Sequence, residues 1–217
     1  MQTLSIQEYQ ERLDRGETPI LIDLRSPLDF AAGHAPGAIS VSQPDRKDPG
    51  IAELLPSDGD GLLFGGQREA QTFLDAQEAT ARDRFVGRLD GNLEAWMQTG
   101  RSIDMVVTIA ADEMAMDLPH DEKILLLDVR TEAEFDKAHV RHALSVPLVS
   151  LTDPGSMAIL EDETNIYIYG RDASEAVTAA SLIKRQGYHN LRALEDDWET
   201  IRSQKGIPVE KTAAPLN

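Results

Sequence analysis

The residues able to do chemistry in this chain come in matched pairs. Asp23-x-Arg25 and Asp128-x-Arg130 each place a carboxylate two residues before a guanidinium. That is the spacing of an ion pair that either orients a reacting group or clamps a loop, and a strand end entering a capped helix favours the clamp. His34 and His139 occupy like positions, and His142 follows His139 at three residues. No third ligand stands at a matching interval, so no metal site is expected. Two segments open on glycine where a strand reads into a helix: Gly65, Gly66, Gln67, Arg68 and Glu69, then Gly170, Arg171, Asp172, Ala173, Ser174 and Glu175. Backbone N–H groups at such a helix start can cradle an anion, which makes these the ligand-binding candidates. Neither Ser42 nor Ser174 lies in a Gly-x-Ser-x-Gly elbow. The chain contains no cysteine, which excludes a disulfide, a thiolate metal ligand, an iron–sulfur cluster and a cysteine nucleophile. No catalytic residue and no cofactor are therefore expected.

The pairing of sites reflects a repeat. Shifting the chain by 105 residues superposes LIDLRSPLDFAAGHAPGAISV, from Leu21, on LLDVRTEAEFDKAHVRHALSV, from Leu126, with no gap before about Gly100. Within a unit, Ile20–Ile22 and Ile124–Leu127 are continuous apolar runs, the pattern of strands buried on both faces in a parallel sheet. Ser26 with Asp29, and Thr131 with Glu134, have the spacing of helix caps, and Pro27 suits the first helical position. Gly33 is expected to end that first helix in a left-handed conformation. Further strands read at Ala38–Val41, Leu62–Phe64, Phe85–Val86 and their counterparts Ala143–Val146, Ile166–Tyr169 and Leu191. Ala70, Phe73 and Leu74, or Ala176, Ala179, Ala180 and Ile183, mark the buried stripe of the helix after each glycine-opened loop. Helices bearing Trp96 and Trp198 close the units, both tryptophans being expected in cores. Gly100–Val107 reads as the connector, followed by a helix begun near Thr108. PDRKDPG, SDGDG and TDPG read as exposed turns, and Glu161–Glu163 and Glu195–Asp197 as solvated faces. Alternating strands and helices define an α/β class.

Composition narrows the partners. The 217 residues carry 21 Lys and Arg against 38 Asp and Glu, a formal charge of −17. Both repeats are acidic, with 10 basic against 18 acidic residues up to residue 106 and 11 against 20 beyond it. Such a field repels phosphates, so neither nucleic acid nor an anionic membrane is an expected partner. The opening MQTLSIQEYQERLDRGE lacks an apolar signal-peptide core, and the longest aliphatic run, Ile124–Leu127, is far short of the ~20 residues that span a bilayer. A cytoplasmic location is the expectation.

The ordered motifs resemble the rhodanese-family signature, in which a strand ends in Asp-x-Arg, a short helix carries an aromatic, and Gly-His-x-Pro-Gly-Ala leads into the next strand. The first repeat keeps Gly33, His34, Pro36, Gly37 and Ala38. The second keeps His139 and Ala143 but has Ala138, Arg141 and His142 in place of the glycines and proline, so its turn is expected to be built differently. The closing GYHNL and GIPVE are also similar to the family, as is RLDGNLEAW, with Asn92 for a glycine. The resemblance implies two tandem rhodanese-like domains, 1–104 and 105–217, each a mostly parallel central sheet with helices on both faces.

Active members of that family carry sulfur as a cysteine persulfide in the loop that follows the strand read here at Leu62–Phe64 or Ile166–Tyr169. Here the cysteine position falls on Gly65 and again on Gly170, and Asp172 and Glu175 add negative charge that is expected to repel an anion. The implied protein is a catalytically inactive binding or regulatory module linked to sulfur or persulfide metabolism. The alternative is a sulfurtransferase or sulfur carrier whose thiol a partner supplies. The pair is also similar to the C-terminal rhodanese pair of some metallo-β-lactamase fusions, which implies a metallo-β-lactamase-fold hydrolase or dioxygenase as partner.

Overall fold

Short apolar runs that lack helical periodicity bury both faces of a strand, and here they become the centres of two sheets. In a computed structural model, which describes residues 2–17, 19–42, 60–78, 82–157, 160 and 164–212, the chain divides into two units, Met1–Met105 and Val106–Asn217. The first unit runs β1 (Gln2–Ser5), α1 (Ile6–Asp14), β2 (Ile20–Asp23), α2 (Pro27–Ala32), β3 (Ile39–Ser40), β4 (Gly61–Phe64), α3 (Gln67–Ala76), β5 (Phe85–Asp90) and α4 (Leu93–Gln98). Its sheet has the order β1-β5-β4-β2-β3, with every pair parallel. Every residue of β2 and β4 is buried, whereas the edge strand β1 buries only Leu4.

The second unit repeats the plan with β6 (Val107–Ile109), α5 (Ala111–Asp117), β7 (Ile124–Asp128), α6 (Glu132–Lys137), β8 (His139–Val140), β9 (Leu144–Ser145), β10 (Asn165–Tyr169), α7 (Ala173–Arg185), β11 (Leu191–Leu194), α8 (Trp198–Ser203) and β12 (Val209–Glu210). The parallel sheet is β6-β11-β10-β7-β9, and β12 pairs antiparallel with β8. In both units helices flank the sheet, so the fold is α/β with two mostly parallel five-stranded sheets. No helix of the described residues is long and apolar enough to cross a membrane.

Several expectations from sequence need correction. Thr108 lies in the edge strand β6, as its repeat counterpart Thr3 lies in β1, and not at a helix start. Three or four residues with a single buried position carry too little periodicity to be read. The helix that follows β1 begins at Ser5, whose side chain and backbone trade hydrogen bonds with Glu8. Gly33 is not left-handed: its φ of 171° is extended backbone, and Ala138, its counterpart, sits at −171°. The glycine instead admits Leu93 and Ile103, whose side chains lie 2.9 and 3.3 Å from where its Cβ would be.

Nor is the second unit's turn built differently. Gly37 has φ 79° and His142, 105 residues later, has φ 67°, so a histidine holds the same left-handed geometry. An L side chain in that region costs about 1–2 kcal/mol, and glycine gives back roughly 0.5–1 kcal/mol through unfolded-chain entropy. His142→Gly is therefore expected to raise stability by up to ~1.5 kcal/mol in urea denaturation. His142 is exposed, so no packing is lost with the ring.

The ungapped repeat also hides two compensating changes. Between strand and helix the first unit has Gly65 and Gly66, with Gly66 as N-cap, while the second has Gly170, Arg171 and Asp172, with Asp172 as N-cap. The extra residue is balanced in β5, where Gly61 pairs with Phe85 but Leu62 pairs with Gly87, so that one residue is bulged. The turns at residues 44–50 and 57–59 and the acidic run Glu161–Glu163 lie outside the described residues.

Candidate functional site

Parallel strands bring their carboxyl ends to one edge of the sheet, and in α/β folds ligands bind outside that edge. In each unit an Asp–Arg clamp stands there. Asp128, the last residue of β7, is fully buried, and Arg130 is 3% exposed. The carboxylate accepts from the Arg130 backbone N–H at 3.0 Å, from Nε at 3.0 Å and from a terminal guanidinium nitrogen at 2.6 Å. The same nitrogen donates to the Ala138 carbonyl at 2.7 Å, which ties the end of α6 to the strand. Asp23 and Arg25 repeat the arrangement, with Gly33 as the carbonyl. Both clamps spend their polar atoms inside their own unit, which is a positioning role.

The two units differ in what covers the guanidinium. Arg25 lies 5.2 Å from the Phe64 ring centre, whereas Arg130 lies 3.7 Å from that of Trp198, which itself stacks on Tyr169 at 5.7 Å. The Tyr169 hydroxyl accepts from the Val140 backbone N–H at 3.1 Å. Burial, and after it the nearby Asp128 charge, pushes its pKa well above the usual phenol range. Trp198 is thus a lid on the clamp and not a simple core residue. Its counterpart by repeat is Leu93, while Trp96 matches the buried Ile201. The 102-residue separation of the two tryptophans was the available signal.

His34 and His139 are structural. Each imidazole stacks at 3.8 Å on the phenylalanine four residues earlier, Phe30 or Phe135, and places Nδ1 2.8 or 2.9 Å from that residue's carbonyl oxygen. A carbonyl only accepts, so Nδ1 carries the proton. The far nitrogen faces Asp104 in one unit, at 4.0 Å, and Glu210 in the other, at 3.6 Å. His142 is exposed in its turn, and among the described residues no group of three His, Asp or Glu side chains is placed to hold a metal ion.

The two glycine-opened loops are built unlike each other. In the first unit Gly65 has φ 147°, a region L side chains rarely enter, and a Cβ there would stand 3.0 Å from the Leu24 Cβ. Its carbonyl oxygen accepts from Arg88 of β5 at 3.2 Å. Gly66, Gln67, Arg68 and Glu69 are exposed, and the Glu69 carboxylate folds back over Gly66, 2.1 Å from where a Cβ would be. Arg88 could not be singled out from sequence, because Ala193 replaces it at the repeat position.

In the second unit the loop is closed. Asp172 caps α7 through the Glu175 N–H at 3.2 Å, and Ala173 and Ser174 complete the first turn. Glu175 is only 5% exposed. Its carboxylate accepts from the Arg171 backbone N–H and from Arg171 Nε, both at 2.7 Å, and pairs with a terminal guanidinium nitrogen as well. A Cβ on Gly170 would stand 2.5 Å from the Glu175 Cβ and 2.9 Å from its Oε2. Trp198 N–H donates to the Arg171 carbonyl at 3.1 Å, so the lid and the loop are joined. Asp172 and Glu175 are therefore engaged locally, and the expectation of two open repelling charges gives way to a carboxylate seated inside the loop.

Twin parallel α/β units, each with an Asp–Arg clamp and a glycine-opened loop before a helix, define a tandem of one domain class. The model of the rhodanese-like domain matches residues 5–99 and 111–204, and the chain belongs to that family. It is 28% identical over 108 residues to a sulfurtransferase of Allochromatium vinosum, covering 48% of this chain and 95% of the relative. Among solved structures, a rhodanese-like domain of an Anabaena protein is 23% identical, with 52% of this chain and 87% of that one covered and a TM-score of 0.44. A thiosulfate sulfurtransferase of Pseudomonas aeruginosa is 17% identical over 99% of this chain and 44% of its own, with a TM-score of 0.42.

Proposed function

We propose that the chain is a non-catalytic member of the rhodanese-like family that works as a binding or regulatory module in sulfur or persulfide metabolism. One observation carries this reading: at both positions where a family nucleophile would stand, the residue is glycine and the surroundings leave no ordinary room for a side chain. Sulfur transfer through a persulfide needs a thiolate, and no side chain of this protein supplies one. The exposed first turn Gly66–Glu69 is the face offered to a partner, because its counterpart in the second unit is occupied from within.

The purified chain is expected to transfer no sulfur from thiosulfate to cyanide above the reagent blank. Turnover above that blank, lost on substitution of Arg68 or Arg171, would overturn the reading. The partner proposed is a metallo-β-lactamase-fold hydrolase or dioxygenase acting on persulfides. Stoichiometric co-elution with such a protein, abolished by charge reversal at Arg68, supports it, and independent elution of the two refutes it.

A further inference from the structure

We propose that Glu175 is a built-in ligand of the second unit's loop, an intramolecular carboxylate that occupies the anion cradle and keeps external anions out. The first ground is position. The Glu175 carboxylate oxygen lies 2.9 Å from where the Cβ of residue 170 would be, so it fills the space into which a side chain at the strand end would project. The second is its partners. The Arg171 backbone N–H, a donor at the helix start of the kind that serves bound anions, is spent on Glu175, together with the Arg171 guanidinium. The third is burial. At 5% exposure the group is nearly withdrawn from water, and a carboxylate is held there only when its charge is matched.

The cradle and its occupant come from one chain segment four residues apart, so the effective concentration of the carboxylate is high and independent of solution conditions. A free oxyanion must displace it while also overcoming its charge. The first unit offers a contrast in burial: Glu69 also folds back over its loop glycine, 2.1 Å from where a Cβ of Gly66 would be, but it is exposed, whereas Glu175 is only 5% exposed. The ligand class that the unmasked cradle would take is a small oxyanion able to accept from one amide and one guanidinium, such as thiosulfate or sulfate. The proposal deepens the non-catalytic reading of this unit but fails separately from it, because it is read by binding and not by turnover.

The test is a thiosulfate titration of the ¹⁵N-labelled full chain, following the amides of residues 170–173. The wild type is expected to show no saturable shift there. Glu175→Ala is expected to show saturable shifts with affinity raised about tenfold or more over the wild-type limit, and adding Arg171→Ala is expected to remove them. Saturable wild-type binding at these amides, or a folded Glu175→Ala chain that binds no better than wild type, overturns the proposal. If Glu175→Ala does not fold, Glu175→Gln keeps the volume and helix propensity without the charge. It is expected to gain binding, and a folded Gln variant that stays silent is equally fatal. The sulfur-transfer assay run on the same samples is expected to remain blank throughout.

Discussion

Asp128→Ala is expected to destabilise the second unit by about 3–5 kcal/mol, the cost of stranding one member of a buried ion pair. Arg130 would lose the backbone-anchored carboxylate that receives its Nε and one terminal nitrogen, and it is only 3% exposed, so water cannot take over. It would keep the Ala138 carbonyl and the face of Trp198, neither of which neutralises its charge. The equivalent Asp23→Ala is expected to cost less, because the Arg25 side chain retains 20% exposure and can be rehydrated. Urea denaturation followed by tryptophan fluorescence separates the two, since Trp96 reports the first unit and Trp198 the second. Equal losses for the two variants would show that burial does not set the clamp's energy. A loss below ~1 kcal/mol for Asp128→Ala would place the pair in the range of a surface salt bridge.

Restoring a cysteine is expected to fail in both units, for different reasons. In Gly170→Cys the new Cβ meets the Glu175 Cβ at 2.5 Å, an atom held by the start of α7 and unable to rotate away. Overpacking of this kind costs about 1–3 kcal/mol, and the thiol would still face the Glu175 carboxylate. In Gly65→Cys the backbone at φ 147° is itself the obstacle, a strain of about 1–3 kcal/mol. Both variants are expected to melt at lower temperature than the wild type and to remain blank in thiosulfate-to-cyanide transfer. Pairing Gly170→Cys with Glu175→Gly removes the offending Cβ, so a double-mutant cycle is expected to return a favourable coupling of ~0.5–3 kcal/mol. Additive losses, or a single cysteine variant that gains turnover without loss of stability, would show that the loops are less closed than their geometry indicates.

Much of the fold could be read from residue order because it rests on local rules. Ile20–Ile22, Leu62–Phe64 and Ile166–Tyr169 are strands, since apolar runs of that length bury both faces only in a parallel sheet. Ser26 and Thr131 start helices, since their hydroxyls meet the carboxylates three residues on. The misread positions are those where backbone geometry or distant packing decides. Gly33 does end the first helix, but in extended rather than left-handed backbone, and it is a glycine because Leu93 and Ile103 approach it closely. His142 stands where the first repeat has Gly37, and that its bend keeps the same left-handed geometry is visible only in the backbone. The extra residue at Arg171 was masked by the bulge in β5, which restores the register before the alignment can reveal a gap.

By itself the sequence determined that this protein is a duplicated α/β chain whose two glycine-opened loops carry no cysteine. That follows from repeat spacing and from the absence of one residue type, and no packing can alter either. Only the tertiary structure decided what became of the vacated positions. It turned Trp198 onto Arg130, bound its backbone to the Arg171 carbonyl, and seated Glu175 against Gly170 while leaving Glu69 at the surface. Each of those outcomes depends on how close two backbones come and which side chain is withdrawn from water. Such quantities arise only when the helix start, the strand end and the clamp beneath them are brought to one edge of the sheet.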